Sequence, residues 1–288
     1  MKTITYVNSL GQEISFNNSA PFLLQKFDTD ENVNIYSNRG MQQDGNTYLG
    51  NNLDVRDLTL QVALLAGSKL QLIGLRSKLN KIFNPKLGEG YLIYKDETKE
   101  RKVKCIVNKI PLFDADKTHN DQSCLISLTA NNPFFTDLQE SKEEIALWIG
   151  SFEFPLELVE GGIEMGHREP SLIVNVVNEG DVGAGMRIEF KALATLTNPS
   201  LLNINTGEFI KINKEMVAGE IVSVSTYFGN KTVKSTLNGV TTNVFNNWDY
   251  LGSFLQLDAG DNLFRYNSDT NLDNLEVSIY YQPAYLGV

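Results

Sequence analysis

Apolar residues recur at every second position through much of this chain. Met186, Ile188, Phe190, Ala192 and Ala194 alternate with Arg187, Glu189, Lys191 and Leu193. Val222, Val224, Thr226 and Phe228 repeat the pattern, as do Leu275, Val277, Ile279 and Tyr281. Successive side chains of a strand point to opposite faces, so a period of two describes sheets with one face in a core and the other in water. Turn signals separate the runs at Asn198-Pro199, Thr206-Gly207, Ala218-Gly219, Gly229-Asn230, Asn238-Gly239 and Ala259-Gly260. Short strands at roughly 8–12-residue spacing with such turns point to an all-β sandwich in the C-terminal half.

The N-terminal half is β-rich too, with one helix. Ile4 and Tyr6, a turn at Leu10-Gly11-Gln12, then Ile14 and Phe16 predict a hairpin. Further β runs cover 22–27 and 33–36, and the Gly/Asn-rich stretch 39–52 reads as a loop or hairpin tip. Leu58, Leu60, Val62 and Leu64 share one face of the next strand. Ser68 with Gln71 fits a capping box, and Leu72, Leu75, Leu79 and Ile82 follow at helical spacing. Asn84-Pro85 stops that helix, because proline disfavours a helical residue before it. The expected element is one amphipathic helix over 68–83, lying on a sheet. Strands resume at 91–94, 103–110 and 124–130, with a loop over 114–122. The break at Asn131-Asn132-Pro133-Phe134-Phe135, then charges from Asp137 to Glu144, set the expected division: a domain over 1–135, a linker over 136–150 and a second domain over 151–288. A length of 288 residues suits two domains, and 42% hydrophobic residues suffice for their cores.

The net charge of −10, with no basic run, argues against clamping DNA or an anionic membrane surface. No stretch reaches the ~18–20 apolar residues of a membrane helix, and the N-terminus has no apolar signal core. Synthesis in a cytoplasm is expected. Cys105 and Cys124 read as two ordinary thiols, although a hairpin could bring them face to face.

A search for chemistry finds no constellation. HExxH, GxSxG and the P-loop are absent, and Gly183-Ala184-Gly185 lacks the third glycine of a dinucleotide loop. The stretch Asp114-Ala115-Asp116-Lys117-Thr118-His119-Asn120-Asp121 is the best metal candidate, but without the EF-hand Gly and Glu it reads better as a solvated tip. His167 sits in a Gly166-His167-Arg168-Glu169-Pro170 loop, and its neighbour Glu169 would point to the opposite face of a strand. Glu153, Glu157, Glu160 and Glu164 read as solvent-facing charge rather than a glycosidase pair. Trp148 and Trp248 divide between core and a stacking surface, and Tyr280, Tyr281 and Tyr285 between core and surface. The expectation is a non-enzymatic protein with no catalytic, cofactor-binding or metal-binding residues.

The order of features resembles the siphophage distal tail protein (Dit), of the siphovirus tail-component family. In the first half the resemblance rests on the opening hairpin, Val62-Ala63-Leu64-Leu65, the helix running into Asn84-Pro85, and Asn132-Pro133-Phe134-Phe135. In the second half it rests on Ile188-Glu189-Phe190, Asn198-Pro199, Asn205-Thr206-Gly207-Glu208, Ala218-Gly219-Glu220, Ser253-Phe254-Leu255-Gln256-Leu257, Ala259-Gly260-Asp261-Asn262 and Tyr285-Leu286-Gly287-Val288. One departure is Ala259, where the family often has proline before the glycine.

The resemblance implies a mainly β fold: a β-sandwich-like, ring-forming N-terminal domain with one amphipathic helix, and a galectin-like C-terminal β sandwich. It implies a structural hub at the virion tail tip. Its partners would be copies of itself, as a hexameric ring, the tail tube protein, the tail-associated tip protein and receptor-binding proteins. No cofactor, membrane or tight nucleic-acid binding is implied. Unpaired edges at 51–65 or in the 103–130 hairpin, carrying Asp57 and Lys104, are the expected ring contacts. The alternatives are a carbohydrate-binding or adhesin-like module and, further off, a glycosidase.

Overall fold

The computed structural model describes residues 2–115, 121–145, 148–150, 166–168 and 172–288, with backbone alone for 148–150 and 166–168. The chain forms two compact units, Met1–Leu138 with Tyr285–Val288, and Gln139–Ala284. In sequence the second unit is thus an insertion between residues 138 and 285 of the first.

The first unit opens with strands β1 (Thr3–Val7) and β2 (Glu13–Phe16), then two long strands, β3 (Phe22–Asn38) and β4 (Thr47–Leu65). Helix α1 (Lys69–Ile82) follows, then β5 (Glu89–Lys95), β6 (Glu100–Phe113), β7 (Asp121–Ala130) and the short β8 (Phe135–Asp137). The sheet runs in the order β2-β1-β5-β6-β7-β4-β3, with β8 added beside β6. Its two ends meet through a bridge between Asn17 and Leu23, so one sheet curls around a single core. Inward positions follow the period-two pattern: Ile4, Tyr6, Ile14, Phe16, Leu58, Leu60, Val62 and Leu64 are all buried. Across β1 and β5 the approach is close enough that a Cβ at Gly90 would stand 2.5 Å from the Val7 carbonyl oxygen, so only glycine fits.

Helix α1 starts where the capping pattern predicts. The Ser68 hydroxyl accepts from the Gln71 amide at 3.2 Å, and the Gln71 side chain accepts from the Gly67 amide at 2.8 Å. The return bond of the box therefore falls one residue before the cap. Leu72, Leu79 and Ile82 enter the sheet's core, and Phe83, just past the helix, stacks on Tyr6 with centroids 4.5 Å apart. Asn84 caps a short 3-10 turn, Pro85–Leu87, that ends the helical path.

The second unit begins with β9 (Ser141–Glu144), then the paired β10 (Trp148–Gly150) and β11 (Gly166–Arg168). The sandwich proper contains β12 (Ile173–Asn178), β13 (Met186–Ala192), β14 (Leu196–Thr197), β15 (Ser200–Asn203), β16 (Phe209–Lys211), β17 (Glu215–Met216), β18 (Ile221–Ser225), β19 (Thr232–Leu237), β20 (Val240–Asn243), β21 (Gly260–Asn267) and β22 (Leu275–Tyr281). One sheet has the order β20-β19-β18-β13-β22-β9 and the other β12-β21-β15-β16. Their inner faces share one core. Met186, Ile188, Phe190, Val222, Val224, Val277 and Ile279 come from the first sheet, and Val176, Leu201, Ile210, Phe264 and Tyr266 from the second. Asn238 and Gly239, both at positive φ, make the two-residue turn between β19 and β20. The last strand, β23 (Ala284–Tyr285), pairs with β8.

Four expectations need adjusting. Phe228, expected inside with Val222 and Val224, is 100% exposed, because β18 ends at Ser225 and the chain turns through Tyr227 to Asn230. The stretch 39–52 is less open than its Gly and Asn content suggests, since β4 already begins at Thr47. The 136–150 linker contains the end of β8 and all of β9 and β10; the charges of Lys142, Glu143 and Glu144 suit an edge strand as well as a linker. A linear boundary also leaves Tyr285–Val288 with the second domain, whereas long-range contacts return them to the first unit.

Glu220 is a buried carboxylate at the turn before β18. Burial alone would raise its pKa, but the Lys214 ammonium at 2.7 Å, the Ser235 hydroxyl and the Val217 amide outweigh that and hold it below the usual range. A depressed folded pKa contributes stability above the unfolded value and loses it as the pH falls through the folded one. In urea titrations, Glu220→Gln should therefore cost ~2 kcal/mol at pH 7 and progressively less as the pH falls below the ordinary carboxylate range and the wild-type carboxylate takes up its proton. A pH-independent difference would contradict this account.

Candidate assembly surfaces

The residues singled out for chemistry do not come together. In the 114–121 stretch, residues 116–120, with Asp116 and His119, lie outside the described residues. Asp114 and Asp121 flank the β6–β7 turn and line a cleft of about 370 Å³ with Leu23, Gln25, Ala63 and Leu65. Among the described residues no three His, Cys, Asp or Glu side chains are grouped to hold a metal ion. His167 is in β11, its backbone paired with Ile149, and its side chain is outside the described set, as is that of Trp148. Glu153, Glu157, Glu160 and Glu164 also lie outside it. No described helix is long and apolar enough to cross a membrane.

The two cysteines do not face each other. Cys105 is opposite Gly90 on β5, whereas Cys124 is opposite Phe113 at the far end of β6. Both are free and buried, and burial pushes each thiol up to about 12. Trp248 stacks on Phe254 at 4.9 Å and packs half-buried against the sandwich core. Tyr281 is inside, its hydroxyl donating to the Val177 carbonyl at 2.9 Å, while Tyr280 lies outside under the Arg187 guanidinium at 3.9 Å. Tyr285 is buried in the first unit.

The expected edges are covered only in part. Over Arg56 to Leu65, β4 lies between β3 and β7, but over 51–55 it pairs with β3 alone. Strand β6 pairs with β5 over Glu100 to Ile106 and with β7 over Ile106 to Phe113, so its last residues have a ladder on one side only. Asp57 accepts from the Thr129 hydroxyl at 2.8 Å, and Lys104 pairs with Glu89 at 2.5 Å, both on the solvent side of the sheet.

The far half of the β3–β4 hairpin, with 51–55 of the expected segment in it, projects beyond the rest of the sheet. The β7 ladder stops at the Arg56–Ala130 pair. Beyond it β3 and β4 pair only with each other, Val33 opposite Leu53 and Ile35 opposite Asn51. At ~3.3 Å per residue the ribbon over 33–38 extends roughly 20 Å. It carries an unusual load of exposed apolar side chains: Ile35 is 67% exposed and Leu49 66%, with Val33, Tyr36, Met41, Tyr48 and Val55 also exposed. Register shifts at Glu31/Val33 and Tyr36/Ser37 interrupt its ladder. An isolated two-stranded ribbon gains little stability in water, and a contiguous exposed apolar surface marks a contact with another molecule. The second unit has its own exposed apolar groups, among them Phe228 at the turn after β18, and Tyr250 and Leu251 just beyond Trp248.

Two family descriptions match the chain in order. Residues 9–129 match the phage tail protein RIFT-related domain, and residues 179–285 the siphovirus-type tail component, C-terminal domain. The chain belongs to the siphophage distal tail protein family. It is a phage tail component of mainly β structure, and the family is a structural one. The fold is similar to that of the Dit protein of phage SPP1, described as a paradigm of the hub adsorption apparatus in phages infecting Gram-positive bacteria. The TM-score is 0.70 at 12% identity, over 98% of this chain and 99% of that one. A chain of the phage P2 baseplate in its activated conformation with Ca matches at TM-score 0.53 and 11% identity, over the whole of both chains. The strontium form of the p2 baseplate gives 0.54 at 10%, again over both full chains. No curated protein matches the sequence.

The projecting arm was hidden in the sequence because its apolar residues are split by the Gly/Asn-rich tip. The signal was the pairing of Val33, Ile35 and Tyr36 on one side of that tip with Tyr48 and Leu49 on the other. Because these side chains contact mainly water, Ile35→Asp and Tyr48→Asp should each change unfolding stability by no more than ~0.5 kcal/mol in urea titrations. A loss of several kcal/mol would place the arm within the fold's own core.

Proposed function

We propose that this chain is the hub of a phage tail tip, closing into a ring of six between the tail tube and the tail-associated tip protein. In this reading the first unit forms the ring, and the arm over 33–55 is the contact between neighbouring subunits. The second unit is a peripheral, galectin-like sandwich on which receptor-binding proteins dock. Galectin-like describes a fold and implies no sugar ligand. The observation that carries the proposal is the exposed apolar arm, on a chain whose two halves match the two family domains in order. A ring needs a surface that is costly to leave in water and is covered by a neighbour, and the arm has that character.

The test is the solution mass by light scattering after size exclusion. The wild-type chain, alone or mixed with its tube protein, should give a species containing six copies of the 32.2 kDa chain. Ile35→Asp and Tyr48→Asp should remain folded and run at the mass of one copy. Wild-type protein that stays a monomer in both settings overturns the proposal, and unaffected assembly of both variants removes the arm from it.

Six copies at −10 each would carry −60 formal charges. A ring through which DNA slides should repel its phosphates rather than release counterions from them. The assembled protein should therefore leave duplex DNA unshifted in electrophoresis even at 50 mM salt. Tight, salt-sensitive binding would contradict this.

A further inference from the structure

The last four residues are held in the first unit by two arginines. The Arg101 guanidinium lies 3.5 Å from the centre of the Tyr285 ring and donates to the Gly287 carbonyl. Arg56 Nη2 donates to the Leu286 carbonyl at 2.5 Å, and the Tyr285 hydroxyl donates to Asp137 at 3.3 Å. Val288 packs on the core. The seat therefore recognises an extended peptide: two main-chain carbonyls read by guanidinium groups, and one aromatic ring read by a cation and a carboxylate.

The same Arg56 is the last residue of β4 to have β7 as a neighbour. Its partner across the hairpin is Glu31, which it also binds through Nη2 at 2.5 Å. The next step along the ladder is the register shift between Glu31 and Val33, where the arm leaves the sheet. The Arg56 residue is 1% exposed, and the Phe135 ring lies against its guanidinium at 4.9 Å. Arg56 Nε and Glu31 Oε1 are buried with no hydrogen-bond partner among the described residues. One guanidinium thus joins the root of the arm to the end of the chain, in a cluster that leaves one buried donor and one buried acceptor unused.

We propose that Tyr285–Val288 is a displaceable strap whose seating sets the conformation of the arm. With the strap seated, the Arg56–Glu31 pair is shielded from water and the arm is anchored at its root. With the strap out, water reaches the pair, its attraction is screened, and a ribbon with no core of its own is released at the bulge. These contacts all lie within one unit, so the inference is independent of the hub reading.

Hydrogen exchange read by mass spectrometry tests it on three proteins: the full chain, a chain ending at Ala284, and Arg101→Met, which removes the strap's contacts to Tyr285 and Gly287 made by that guanidinium without touching Arg56. Amides over 33–38 and 47–55 should exchange at least tenfold faster in both altered proteins, while β7 and β13 stay protected. The peptide Tyr-Leu-Gly-Val at millimolar concentration should restore slow exchange to the shortened chain. Unchanged arm exchange with β7 protected overturns the proposal. Should the shortened chain lose β7 protection as well, Arg101→Met decides. Faster exchange confined to its arm supports the strap. No change, or loss of protection throughout the unit, overturns it.

Discussion

A strand that outruns its neighbours has to hold its remaining length by some other means, and β4 is such a strand. From Arg56 to Leu65 it is hydrogen-bonded on both sides and buries every second side chain in the core. Before Arg56 it has one partner and no core. The character of the first unit follows from that transition. The inner half of the hairpin closes the curled sheet, and the outer half is a ribbon of apolar side chains in water. At the boundary stands a buried guanidinium, bonded at once to the other strand and to the end of the chain. Buried charges are costly unless paired, and this pair stands where the β7 ladder ends and the arm begins.

The arm contrasts with the polar part of the sheet's outer face, where Asp57, Thr59, Ser127 and Thr129 stand and ladders such as Asn108–Thr129–Asp57 satisfy one another, although Ile110 and Leu112 on β6 are exposed as well. Solvated faces of that kind need no partner. A ribbon bearing Val33, Ile35, Tyr48 and Leu49 is different, since covering such side chains is worth ~25 cal/mol for each Å² removed from water. In the ring proposed above, the arm is the surface that a neighbouring subunit would cover.

The second unit handles its edges in the opposite way. Its six-stranded sheet ends in β9, whose Lys142 and Glu144 pair with each other along the strand. Charge at an edge discourages further strand addition. Ionic pairs continue over the outer face, Arg187 with Glu140 and Glu189, and Lys191 with Glu276. Exposed pairs of this kind add little stability, but they keep the face hydrated. The most exposed apolar groups, Phe228, Tyr250 and Leu251, sit outside strands, while Val240 on β20 and Ile173 and Val177 on β12 are exposed within them.

Much of this could be read from the sequence, because it depends on local periods. A period of two assigned Leu58 to Leu64, Met186 to Ala192 and Leu275 to Tyr281 to buried faces, and a helical period with a Ser68 cap placed α1 within a residue at either end. The six turn signals of the C-terminal half each coincide with a residue at positive φ. The same local signals misjudged Phe228, whose alternation runs on past the end of its strand. Periodicity says which face of a strand is apolar but not which strands lie beside it. Partners are chosen by contacts between residues far apart in the chain. Only the tertiary structure therefore decided that β4 is an interior strand from Arg56 onward, that the apolar residues around the Gly/Asn-rich tip form one projecting arm, and that Tyr285–Val288 return to the first unit to meet Arg56 and Arg101.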